Sequence, residues 1–132
     1  MNDNFLNFSS LTSSLPKGFH RLAIDIGGSS LKMVALDSES KIREYKSITT
    51  KERPVREVLD EAVEQLQKLP IHRCGVGFPG IVPESGEIVG SPNLQHWIGS
   101  SLSHELSSRI NSTVIATNDA NAAAFGESLF GG

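Results

Sequence analysis

Cysteine is almost missing from this chain. Cys74 stands alone, which rules out an internal disulfide framework, and the four histidines, His20, His72, His96 and His104, lack the paired spacing that builds a metal cage. Basic charge is also in short supply. Twelve Lys and Arg are scattered among fifteen Asp and Glu, giving a net charge of -3, so nothing draws the chain generally to nucleic acid or to an anionic membrane. No apolar run approaches the roughly 18 residues that span a bilayer, and the N-terminus lacks the charged-then-apolar order of a secretory signal. The expectation is a cytosolic domain with no metal cage, no membrane partner and no nucleic-acid partner. What is present suffices for one domain with a real core: 132 residues, 38% of them hydrophobic and 20% charged.

Residues 1–18, MNDNFLNFSSLTSSLPKG, read as a loose leader ahead of the first strand. An organelle transit peptide is the alternative, but such segments are Arg-rich and acid-poor, whereas this one has no Arg and carries Asp3. Residues 19–132 then read as the folded unit. His20 to Ile26 is a short apolar run bounded by turn residues and predicts a buried strand, with Leu31 to Leu36 as its hairpin partner across Gly27-Gly28-Ser29-Ser30. Ile42 to Ile48 alternates apolar with polar residues and predicts a third strand with one wet face. From Pro54 the period changes. Val55, Val58, Leu59, Ala62, Val63, Leu66 and Leu69 line one helical face, which Pro70 stops.

A strand over Arg73 to Phe78 follows, then a small hairpin around Pro83-Glu84-Ser85-Gly86 and Glu87 to Val89. Leu102, Leu106 and Ile110 mark a second helix, Thr113 to Thr117 a buried strand, and Ala120 to Leu129 a last helix. The order predicts an α/β domain whose mixed sheet starts with three antiparallel strands and is covered by helices. Gly131-Gly132 follows that last helix with no closing element, an ending expected of a hinge.

Two stretches carry chemistry. In Asp25-Ile26-Gly27-Gly28-Ser29-Ser30, two glycines let backbone N–H groups approach an anion and two hydroxyls add donors. Asp25 would meet an accompanying Mg²⁺ through water, and Lys32 would add a point charge for a phosphate chain. The plain alternative is a hairpin turn with a strand-end acid. Asn118-Asp119 sits where an apolar strand gives way to an alanine-rich helix. Either residue suits an N-cap, and a carboxylate left over from capping would sit at the strand's carboxyl edge, able to take a proton from a hydroxyl.

Gly80, in FPGIV, and Asn93, in SPNLQHWIG, supply a bare backbone and an amide of the kind that suits a sugar, although both stretches also read as turns. Trp97 is the only Trp and reads as a packing anchor before a sugar platform. Cys74 reads as a small core residue, and His96 and His104 as solvated side chains without a role.

In combination, DIGGSSLK, GVGFPGIV followed by SPNLQHWIG, and ATNDANAAAFGESLFG resemble the motifs of the ROK family of sugar kinases, in order, over residues 21–132. That family belongs to the actin, hexokinase and Hsp70 superfamily of ATPase folds, so the resemblance implies the N-terminal lobe of an actin-like, ribonuclease H-like architecture. It implies Asp119 as the base that deprotonates a hexose 6-hydroxyl. Asn118, Gly80 and Asn93 would lie against the sugar, and Asp25, Gly27, Gly28, Ser29, Ser30 and Lys32 would face the transferred phosphate with its Mg²⁺. Ser29 stands where Thr is usual.

The GGSS-x-K form and NLQHWIG look closer to polyphosphate-using glucokinases, so ATP and polyphosphate both stand as donors. The family's zinc-binding segment, second phosphate loop and adenosine pocket belong to a C-terminal lobe outside these 132 residues. A lone lobe is expected to be inactive and to associate with itself or with such a lobe. A non-catalytic sugar-binding or regulatory protein is the alternative. Repressors of the family are expected less, because the residues ahead of the first strand are too few for two packed helices.

Overall fold

The structure, a computed structural model, describes residues 15–118. Asp119, the expected helix over 120–129 and most of the expected leader lie outside the described residues. Strands β1 (His20–Ile26) and β2 (Ser30–Leu36) form the expected hairpin, antiparallel with Asp25 opposite Lys32 and Ile26 opposite Leu31. β3 (Ile42–Glu44) extends the meander on the far side of β2. β5 (Ile71–Phe78) and β6 (Thr113–Asn118) then add to β1 in parallel, giving the order β3-β2-β1-β5-β6.

The strand expected over 42–48 is broken. β3 ends at Glu44, and a separate short β4 (Ile48–Thr49) returns to pair with the start of β2. Between them the backbone of Lys46 turns to the amide of Gln65: its N–H donates to Oε1 at 3.1 Å and its carbonyl accepts from Nε2 at 3.0 Å. A helix side chain thus takes the place of a strand neighbour for that peptide unit.

Helix α1 (Val55–Leu66) begins after Pro54, whose fixed φ and missing N–H suit a helix start, and ends in the left-handed residues Gln67 and Lys68. Helix α2 (Leu102–Ile110) links β5 to β6 and ends at left-handed Asn111. Each parallel crossover moves one strand further in the same direction. Right-handed connections therefore put α1 and α2 on one face of the sheet.

The core lies there. Leu22, Ile24 and Ile26 of β1 and Met33 of β2 meet Val58, Leu59 and Ala62 of α1 and Leu102 and Leu106 of α2, all nearly inaccessible. Burying each such large aliphatic side chain contributes about 1.5–3 kcal/mol. Ala23, Val34 and Leu36 form a smaller apolar cluster on the opposite face. Buried Arg21 shares that strand side with Ala23, and burial pushes its guanidinium below its usual range.

Candidate functional site

Three parallel strands end side by side. The register sets Asp25 of β1 against Gly77 of β5, and Phe78 against Asn118 of β6. Asp25 and Asn118 therefore lie on one carboxyl edge, two strand spacings or about 10 Å apart. Open α/β sheets place ligands outside this edge.

The first wall is the turn between β1 and β2. Gly27 N–H donates to the Ser30 carbonyl at 2.7 Å, closing the turn and leaving Gly28 and Ser29 at its tip. Asp25 is exposed beside it, and exposed Lys32 stands across the ladder from Asp25 on the same side of the sheet. Neither Gly27 nor Gly28 is among the residues with positive φ, so backbone handedness does not explain the glycines. Space explains Gly28: a Cβ there would stand 2.8 Å from Asn93 Cβ. The missing side chain lets the Gly27–Ser30 turn and the SPN segment pack closely.

The second wall is held from below by Ser91. Its buried hydroxyl donates to the Pro79 carbonyl at 3.1 Å and accepts from Leu94 N–H at 3.0 Å, pinning both ends of the segment that presents exposed Asn93. Gly80 lies under this wall. A Cβ on it would run into the Gly90 carbonyl and stand 2.9 Å from Phe78 Cε2, so its bare backbone serves the close pairing of Ile81 with Gly90. Trp97 is the packing anchor that the sequence suggested: fully buried, stacked on Phe78 with centroids 6.1 Å apart, its indole N–H donating to the Arg53 carbonyl at 2.9 Å.

Sequence reasoning missed several residues around this site. His96 was expected to be without a role, yet its exposed ring brings Nε2 within 2.9 Å of the Arg53 carbonyl, which calls for the Nε2–H tautomer, and stands edge-on to Trp97. Arg53 itself bonds Glu61 and Glu57 through its guanidinium, with Glu61 foremost in holding it above its usual pKa. Thr50, wholly buried, donates its hydroxyl to the Gly27 carbonyl at 2.9 Å and its N–H to the Ser29 carbonyl at 3.0 Å. The only sequence signal for Thr50 was a hydroxyl ahead of a helix, and a cap explains that equally well. Cys74 is buried in β5, and burial pushes its thiol up, which makes it an inert core residue.

A mixed sheet with parallel strands opening onto a glycine turn, an amide-bearing segment and a strand-end Asn is the N-terminal part of an actin-like ATPase fold. The chain belongs to the ROK family, whose sequence pattern matches residues 21–132. It is 29% identical to the glucokinase of Thermotoga maritima over 116 residues, covering 83% of this chain and 37% of that protein. It is also 25% identical over 124 residues to the xylose repressor of Bacillus subtilis, covering 87% of this chain and 32% of the repressor. Among solved structures, a ROK glucokinase from Streptomyces griseus, in complex with glucose and AMPPNP, superposes with a TM-score of 0.69 at 25% identity, covering 86% of this chain and 37% of that one. The chain thus spans little more than a third of the length of the glucokinases it matches.

Proposed function

We propose that this chain forms the N-terminal lobe, over residues 19–132, of a two-lobed sugar kinase. In this reading the kinase transfers a phosphoryl group from ATP or polyphosphate to the 6-hydroxyl of glucose or a related hexose. The observation that carries the reading is the shared edge: Asp25 and Asn118 lie along the carboxyl ends of β1, β5 and β6, the Gly28 turn after β1 packs closely against Asn93, and Asp119 follows Asn118 directly. Asp119 would accept the proton of the attacking hydroxyl, while Asn93 and Asn118 orient the sugar and Gly28, Ser29 and Ser30 face the phosphate. Gly80 acts here by supporting the SPN segment, and Lys32 as a positive charge beside Asp25.

Among the described residues no three His, Cys, Asp or Glu cluster as a metal cage. A single exposed carboxylate suits Mg²⁺, which keeps much of its water and takes its other oxygens from phosphates. Asp25 would hold that ion, which when bound neutralises charge developing on the phosphates.

The test is Asp119→Ala in the complete two-lobed protein. Phosphorylation of glucose should fall by about 10²–10⁴, the usual contribution of a positioned base, with the sugar still bound. A fall of less than tenfold would remove Asp119 from that role. The xylose repressor likeness supports a second reading, a sugar sensor with the same cleft and no transfer. Hexose binding without any phosphorylated product from the complete protein would favour it.

A further inference from the structure

Thr50 is fixed to the phosphate-type turn from inside the protein, at a position that none of the turn's own residues explains. It is wholly buried. Its hydroxyl donates to the carbonyl of Gly27 at 2.9 Å and its backbone N–H to the carbonyl of Ser29 at 3.0 Å, so one residue grips the turn on both sides of Gly28. Both acceptors are carbonyls of the turn. Fixing them fixes the peptide planes whose opposite ends are the N–H groups of Gly28 and Ser30.

The grip is anchored in turn. The Thr50 carbonyl accepts from Arg53 N–H at 3.3 Å, and the Arg53 carbonyl accepts from the Trp97 indole and faces His96 Nε2, each at 2.9 Å. The short stretch from Thr50 to Arg53 therefore touches the donor-side turn at one end and the base of the sugar-side segment at the other.

We infer that Thr50 is a positioning residue for the phosphoryl donor: its hydroxyl aims the amides at the tip of the Gly27–Ser30 turn at the phosphate chain. This rests on the kinase reading. It touches neither substrate, so its loss should appear in the donor constant and not in the sugar constant.

The experiment compares wild type, Thr50→Val and Thr50→Ser in the complete protein. It measures KM for the donor, KM for glucose, melting temperature, and the Kd for magnesium tripolyphosphate as a nucleotide-free probe. Val keeps the shape and removes the donor, leaving the Gly27 carbonyl unsatisfied, whereas Ser keeps the hydroxyl. We expect Thr50→Val to raise donor KM and tripolyphosphate Kd about tenfold, the scale of one lost buried hydrogen bond, with glucose KM within about twofold of wild type. Thr50→Ser should restore most of the donor affinity.

Equal donor constants for Val and wild type would overturn the inference. So would a Val defect that raises both constants alike along with a lowered melting temperature, because that marks a merely structural role. If wild type transfers no phosphoryl group yet binds tripolyphosphate, the kinase reading falls and the Kd values alone decide Thr50. If wild type binds no tripolyphosphate, the inference falls as well.

Discussion

A methyl group at position 28 would press on Asn93 Cβ, which lies close to its backbone and has little freedom to swing aside. Gly28→Ala should therefore push the SPN segment off the turn. Overpacking of this kind costs about 1–3 kcal/mol, and here the strain falls on Asn93, the residue proposed to orient the sugar. We expect the hexose KM of the complete protein to rise about tenfold while its melting temperature drops by a few degrees; an unchanged KM would mean that Asn93 does not contact the sugar. The glycines were legible in the sequence as punctuation, but not their separate reasons. Gly28 yields to a side chain distant in sequence and Gly80 to the Gly90 carbonyl, and both partners are set by tertiary approach. Thr50 was hidden for the same reason, since a buried hydroxyl and a capping hydroxyl look alike in one dimension.

The two helices are joined by charge as well as by packing. Arg109 bonds Asp60 of α1 at 2.7 Å and Glu105 of α2 at 2.7 Å, and Glu105 also receives Arg56 of α1 at 3.3 Å. The Arg109 hydrogen bond is the main cause that holds the Glu105 carboxyl below its ordinary range, with Arg56 adding to it. A carboxyl depressed in the folded state stabilises fully above its unfolded pKa of about 4.3 and loses that contribution as pH falls towards the folded value. Glu105→Gln should therefore cost about 1 kcal/mol at pH 7 and progressively less as pH is lowered below about 4.3, read by urea unfolding of both proteins across that range. An equal cost throughout the range would show that the charge is not what matters. Helices α1 and α2 and strands β5 and β6 were legible from periodicity and from proline and turn signals. The strand expected over 42–48 was not, because alternation describes a wet and a dry face but is silent about Gln65 capturing the Lys46 peptide.

At the scale of the molecule, the topology leaves one edge of the sheet open. Right-handed crossovers stack α1 and α2 behind the sheet and leave the carboxyl ends of β1, β5 and β6 open, with the Gly27–Ser30 turn and the SPN segment close-packed at Gly28 and Asn93. Fold and family were legible because three motifs in order imply one topology. Kinase or regulator was not, because the chain matches a glucokinase and a xylose repressor alike over most of its length. In the kinase reading proposed above, transfer at this edge would also need water excluded by a second lobe. The most direct measurement is phosphorus NMR of the products when the complete protein is given glucose, Mg²⁺ and either ATP or polyphosphate. Our account predicts glucose 6-phosphate with at least one of the two donors. Saturable glucose binding with no phosphorylated sugar from either donor would contradict it.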